Sequence, residues 1–333
     1  KSKIPNPKLN ILDQSPVLNN STPAEAIQQT IELAVFGDEL GYHRYWVAEH
    51  HDTRSFAIAS PEILIPVIAS QTKNIRAGSG GVLISHYSPL KVAEQFNMLE
   101  ALYPGRIDLG IGRAPGGDAG TIRAMRTTRE DAFLKTDELI SYMKTSSEGK
   151  SFEGISATPA GTSIPEVWIL GTSTDSAMYA AKRGLRYAFG SFINDEHMLE
   201  CFQTYYQNFK PSIYLKEPYL DLALFVICAD TEKDAQRLAR CSEYWLAQNF
   251  LKGKNISFPD EKTALEYKFT PEEKMFIDYR RRSAVIGDTE SVCKKLKELV
   301  KKYAIHELSI VTIVCDHEER KKSYKLLAEG MKD

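Results

Sequence analysis

Arg44-Tyr-Trp-Val-Ala-Glu-His-His51 is an apolar strand that ends in two histidines, and Asn74-Ile-Arg-Ala-Gly-Ser-Gly-Gly-Val-Leu-Ile-Ser85 follows one helix later. The first stretch delivers an imidazole to the carboxyl end of a parallel strand. The second sets Gly80 and Gly81 inside a run that is otherwise apolar and strand-forming. Glycine within a strand weakens packing, so a pair there marks a bulge or something flat lying against the backbone. An imidazole beside bare backbone, at the strand ends of an α/β barrel, is what a planar cofactor site needs. These two stretches predict an enzyme.

Outward from them, short apolar runs alternate with amphipathic helical stretches along the chain. Strands are predicted at 9–15, 44–50, 75–84, 106–112, 166–171, 186–192, 220–229 and 307–314. Thr22-Pro23, Ser60-Pro61 and Ser88-Pro89 each pair an N-cap residue with proline at the first helical position, opening helices 23–40, 61–72 and 89–102. Gly41 closes the first, and Pro104-Gly105 stops the third. Thr231, Thr289 and Asp316 are candidate caps of later helices. The first four strands start at 9, 44, 75 and 106, the spacing of a strand-helix unit with short loops. Eight such units predict an α/β protein, a (β/α)8 TIM barrel, whose size range admits 333 residues. The alternative is a doubly wound sheet. Against it, Asp13-Gln-Ser-Pro-Val17 has no glycine where a phosphate fingerprint would fall, and Gly110-Ile-Gly-Arg-Ala-Pro-Gly116 spaces its glycines wrongly.

Two places break the rhythm. Residues 113–126 and 146–165 read as loops around a helix at 127–145. Residues 248–285 read as an insertion between strands 7 and 8, a lid or excursion of a single domain over 1–333 rather than a second folding unit. With 42 basic against 44 acidic residues there is no large single-sign field, which argues against nucleic acid and anionic membrane as partners. No apolar run approaches the ~18 residues that span a bilayer. Five cysteines, an odd count with no CxxC pair, argue against a disulfide framework and a metal site. The polar start runs directly into a strand with no signal-peptide core, so a cytoplasmic protein is expected.

Active sites of such barrels form at the carboxyl ends of the strands. There the sequence places Asp13, then Glu49-His50-His51, then Ser85-His86, then Arg113, then Gly171-Thr-Ser-Thr-Asp-Ser176. Any one of these can be a cap or a solvated residue; their coincidence at one rim favours a site. Gly171, Thr172, Ser173 and Ser176 open a helix, whose free amides and hydroxyls suit an anion, and Arg113 at the neighbouring strand end supplies the counter-charge. A phosphorylated cofactor follows. Strand alternation sets Glu49 and His51 on one face and His50 on the other. Adjacent histidines are poor metal ligands for that reason. A histidine titrating near neutrality suits proton transfer, and His50 is the candidate.

Taken in order, Trp46-Val-Ala-Glu-His-His51, Gly78-Ser-Gly-Gly81, Pro89-Leu-Lys-Val-Ala-Glu94, Gly105-Arg-Ile-Asp-Leu-Gly-Ile-Gly-Arg113, Trp168-Ile-Leu-Gly-Thr-Ser173, Gly287-Asp-Thr-Glu-Ser-Val292 and Glu307-Leu-Ser-Ile-Val-Thr312 are distinctive. Across nearly the whole chain they resemble the bacterial luciferase-like flavin-dependent monooxygenases. The resemblance implies a (β/α)8 barrel that holds flavin mononucleotide (FMN) at its carboxyl-end rim. By position Arg113, Ser173 and Ser176 would hold the phosphate, and His50 matches the family's active-site histidine. Gly80-Gly81 falls where the family carries a non-proline cis peptide against the flavin ring. Light-emitting members have cysteine just before the matching arginine; Gly112 stands there, which counts against luminescence and leaves flavin binding untouched. The family likeness also points to a homodimer through helices 61–72 and 89–102, the first rich in Ile63, Leu64, Ile65, Val67 and Ile68.

The expected activity is monooxygenation: reduced FMN and molecular oxygen oxidise a small organic substrate, carbonyl-type or apolar. No nicotinamide fingerprint is visible, so a separate flavin reductase is implied. The alternatives are a flavin- or deazaflavin-dependent dehydrogenase or reductase on the same barrel, and a non-catalytic flavin-binding protein. A metal-dependent barrel hydrolase is disfavoured by the histidine spacing.

Overall fold

Eight parallel strands close into a barrel in the computed structural model, which describes residues 7–19, 21–127, 132–143 and 155–332. In chain order they are β1 (Lys8–Asp13), β2 (Arg44–Val47), β3 (Arg76–Ser79) continued by β4 (Val82–Leu83), β5 (Ile107–Gly112), β6 (Glu166–Gly171), β7 (Arg186–Gly190), β8 (Leu220–Ala229) and, after one further strand, β10 (Glu307–Val311). β10 pairs with both β1 and β8, which closes the ring. The outer helices include α1 (Pro23–Leu40), α2 (Pro61–Gln71), α3 (Pro89–Leu102), α4 (Ala119–Ala124), α5 (Ala132–Tyr142), α6 (Thr174–Arg183), α7 (Met198–Asn208) and α8 (Glu232–Leu246). The expected TIM barrel is therefore the observed architecture.

The start signals work by different physics. At α1, Thr22 accepts the Glu25 amide while the Glu25 carboxylate takes the Thr22 amide at 2.6 Å, a reciprocal capping box, and Gly41 ends the helix at φ 86°. Ser60 and Ser88 make no such side-chain bond, so at α2 and α3 it is the proline, with its preset φ, that favours the start. Thr231 and Asp316 cap α8 and α12 (His317–Gly330) as expected. Asp288, rather than Thr289, caps α11 (Thr289–Tyr303), because its carboxylate reaches the Ser291 amide.

Several sequence expectations are corrected. The strand over 75–84 is two pieces separated by Gly80-Gly81, whose peptide bond is cis. The stretch 113–126 is not all loop: Asp118 caps α4. The helix over 127–145 is α5, while 128–131 and 144–154 lie outside the described residues. The 248–285 segment holds α9 (Glu261–Glu266), α10 (Pro271–Arg281) and the beginning of an unpredicted strand, β9 (Ala284–Asp288). β9 pairs with the outer half of β8, Phe225 to Ala229, while the inner half pairs with β10. On α2, Leu64, Ile65 and Ile68 are core residues; Ile63 (68% exposed) and Val67 are exposed, as are Met98 and Leu102 of α3.

The amino ends of the strands carry a buried polar network. Arg44 donates to Glu307 at 2.6 Å and to Asp108 at 2.8 Å, and Glu166 lies 2.8 Å away. Arg76 and the Trp46 indole also reach Asp108, and Asn10 reaches Glu307. Burial pushes the Glu307 carboxyl up, but the Arg44 guanidinium outweighs it and holds the group at about 2. A charge this deep is tolerated only when paired and hydrogen-bonded. Above the network pack Trp46 and Trp168, edge to face at 5.1 Å. With that end filled, the cavity lies toward the carboxyl ends.

Candidate active site

A cavity of about 650 Å³ opens at the carboxyl ends of the strands, within the range of small-molecule sites. Its base is Leu12, Trp46, Ala188 and Val311 from the strands. One wall is the Glu49-His50 end of β2 with Gly80, Gly81 and Gly112. Another comes from the segment after β8, with Trp245, Phe250, Ile277 and Arg280. Phe56 packs against Trp245 and Phe258, tying the two walls together.

The glycines at this wall serve close packing. A Cβ on Gly80 would sit 2.5 Å from the Leu12 side chain, and one on Gly81 would sit 2.8 Å from the Gly110 carbonyl oxygen. Side chains here would push β3 and β4 off β1 and β5. Both glycines nevertheless line the cavity, so they leave bare backbone facing it.

The strand expected over 44–50 ends at Val47, so His50 lies three residues beyond β2, where it lines the cavity together with Glu49. Its amide bonds to the Ile58 carbonyl at 3.0 Å, its ring lies 4.5 Å from that of Phe56, and its Nδ1 is buried with no hydrogen-bond partner. Burial, with a smaller push from His51, lowers its pKa to about 4. This lies below the near-neutral value expected of a histidine and favours the neutral imidazole at physiological pH. His51 turns the other way and meets the Glu49 carboxylate at 2.8 Å. Glu49 also takes the Leu83 amide and the Tyr87 hydroxyl. His86 is held by Thr127 and the Pro115 carbonyl. Among the described residues no group of three or more histidine, cysteine, aspartate or glutamate side chains could hold a metal ion.

Arg113 and Ser173 come together as the sequence suggested: the guanidinium donates to the Ser173 hydroxyl at 3.1 Å and stacks on Phe133 at 4.0 Å. Both line the cavity with Gly171 and Thr172. Ser173 is the N-cap of α6, so the first amides of that helix are directed there. Ser176 is different. It is fully buried, and its hydroxyl donates to the Ser173 carbonyl at 2.6 Å beneath the Tyr187 hydroxyl. The capping box uses that hydroxyl, and Ser176 is not among the residues that line the cavity.

Asp13 is also withdrawn from the rim, bonded to Arg320 at 2.6 Å and to the Tyr45 hydroxyl at 2.5 Å. Sequence reasoning marked 248–285 as a lid or excursion but named none of its residues, nor Trp245, as lining the site. The signal was there, in Trp245, Phe250 and Ile277 standing within a charge-rich stretch.

A model of the luciferase-like monooxygenase family matches residues 9–306. Protein YceB of Bacillus subtilis (strain 168) is 41% identical, covering 96% of this chain and 98% of its own. The N-acetyl-S-alkylcysteine monooxygenase of the same organism is 33% identical, covering 97% and 98%. The crystal structure of apo-MsnO8 superposes with a TM-score of 0.91 at 36% identity, covering 99% and 98%.

Proposed function

Because this chain belongs to the luciferase-like monooxygenase family, we propose that it is the oxygenase of a two-component system, oxidising a small organic substrate with reduced FMN and molecular oxygen. It is an oxidoreductase by that membership. The observation that carries the cofactor reading is the contact of Arg113 with the Ser173 helix start, at the edge of a cavity otherwise mostly apolar.

The residues present fit FMN. Arg113, the Ser173 hydroxyl and the first amides of α6 would hold its phosphate, with Gly171 and Thr172 forming the turn. Gly80 and Gly81 offer backbone without side chains to a planar ring. The buried Nδ1 of His50 lacks a partner that the protein itself supplies. Reduced FMN, when bound, supplies the electrons with which oxygen oxidises the substrate. His50, neutral in this setting, accepts and returns a proton at its ring nitrogen. Trp245, Phe56, Phe192 and Phe225 exclude water from the reacting region. Electrons come from a separate reductase, since the chain has no nicotinamide fingerprint. None of the five cysteines is in a disulfide, which suits the cytosol.

The test is rapid mixing of oxygen with protein preloaded anaerobically with reduced FMN. Bound FMN should be reoxidised with kinetics distinct from free FMN and in proportion to sites. Kinetics identical to free flavin would refute the proposal. Tight binding of a deazaflavin without reaction toward oxygen would favour hydride transfer instead.

A further inference from the structure

We infer that Arg280 receives the anionic group of the substrate, so that the enzyme acts on small organic acids whose apolar part lies against the aromatic wall. The inference rests on the monooxygenase reading only in taking this cavity for the substrate's.

Arg280 stands near the end of α10 and lines the cavity. Its two terminal nitrogens donate to the carbonyl oxygens of Ile193 at 2.7 Å and Phe192 at 2.5 Å, just after β7. These bonds hold the fork still and use two of its five N–H groups, leaving three. Among the described residues no carboxylate lies within ion-pair distance of it. The neighbouring charges are treated differently. Arg281 is bonded to Glu243, which also has Arg240 at 3.9 Å, so the acid in this wall is already neutralised. Glu49, across the cavity, is held by the Leu83 amide, the Tyr87 hydroxyl and His51. Asp195 acts on Arg280 from beyond ion-pair distance, so Arg280 keeps a half-buried positive charge, fixed in direction, at the wall of a mostly apolar space. Ile277 lies one turn earlier on the same helix and also lines the cavity, as does Phe192, whose carbonyl holds the guanidinium. A fork beside apolar surface recognises a carboxylate attached to a hydrocarbon chain. Arg113 does not serve this purpose, because the cofactor phosphate would occupy it.

The probe pair is hexanoate and hexanamide, which share a chain and differ in charge. Binding is read by ligand-observed NMR titration on protein saturated with oxidised FMN. Hexanoate should bind at least about tenfold more tightly, the size of a charge-assisted bond. Arg280→Gln should bring the ratio below about twofold while FMN affinity stays the same. Arg280→Lys keeps the charge but not the fork, and should bind hexanoate several-fold more weakly than the wild type while still preferring it to the amide. This variant carries the test if the glutamine variant unfolds. An acid preference that vanishes on FMN saturation places the acid at Arg113 and overturns the proposal. So does a wild type without preference, a preference unchanged in Arg280→Gln, or hexanoate affinity unchanged in Arg280→Lys. If FMN does not bind at all, the flavin reading fails by itself; the same pair, measured in Arg113→Gln protein without flavin, still reads Arg280.

Discussion

Replacing Arg113 by alanine should separate FMN from riboflavin, two ligands that share ring and ribityl chain and differ by the phosphate. In the structure the guanidinium is held by the Ser173 hydroxyl on one side and the Phe133 ring on the other, so it is oriented before any ligand arrives. The helix start beside it carries Asp175 in its first turn, exposed and unfavourable to an anion, which leaves the arginine as the decisive positive charge. Losing a charge-assisted contact of this kind costs about 1.5–3 kcal/mol, or roughly 10- to 150-fold in affinity. Fluorescence titration with both ligands should show that loss for FMN in Arg113→Ala, and less than about twofold for riboflavin. Ser176→Ala is the control. Its hydroxyl is internal to the cap, so the substitution should lower the unfolding midpoint and spare the FMN-to-riboflavin ratio. Equal weakening of both flavins in Arg113→Ala would show that the arginine supports the ring or the fold, and the phosphate assignment would fall.

His50→Ala should bind FMN nearly normally and lose ~10²–10⁴-fold in product formation, with more free hydrogen peroxide released per reduced FMN; equal damage from His51→Ala would remove His50 from the chemistry. Because His50 has a pKa of about 4 when folded and 6.5 when not, its contribution to stability is full above pH 6.5 and is lost as pH falls toward 4. Denaturant titrations of wild type minus His50→Gln should show a difference shrinking by about 3 kcal/mol across that window, Asp221, whose buried carboxyl runs in the opposite sense, cancelling in the subtraction. A difference independent of pH would contradict the buried neutral imidazole. Ile63 and Val67 on α2 and Met98 and Leu102 on α3 are exposed apolar side chains on two helices that pack together, so light scattering should give a homodimer, twice 37.5 kDa, that Ile63→Lys with Met98→Lys converts to monomer. A wild-type monomer at micromolar concentration would reject that face as an interface.

What was legible in the sequence was whatever is decided by near neighbours. Pro23, Pro61 and Pro89 opened helices where proline's preset φ favours them, whereas the strand expected to carry His50 and His51 stops at Val47. β9 was hidden because five residues, Ala284 to Asp288, follow directly on a charged helix and stand outside the count of eight. The polar network was equally hidden: Arg44, Asp108 and Glu307 each read as an ordinary charge near a strand start, and only barrel closure brings Glu307 across 263 residues to Arg44. The protonation of His50 belongs to the same class. Its pKa is lowered by burial, which only the fold supplies, beside Phe56.

Two arginines of the cavity differ from those at the amino end of the barrel, and from Arg281 and Arg320 nearby, which pair with Glu243 and Asp13; that contrast marks the site. At the amino end, Arg44 meets Asp108, Glu166 and Glu307, and Arg76 shares Asp108 with it, so the charges are satisfied from within. At the carboxyl end, Arg113 and Arg280 have hydroxyl, carbonyl and ring neighbours but, among the described residues, no carboxylate within ion-pair distance. Both are held in place by these neutral contacts, which orient a guanidinium without cancelling its charge. A half-buried cation near apolar walls is unfavourable unless an anion arrives. Neutral bonding of two separate arginines around one cavity therefore argues for two anionic groups, one on the cofactor and one on the substrate. The buried, unpaired nitrogen of His50 belongs to the same cavity and gives the chemistry its place.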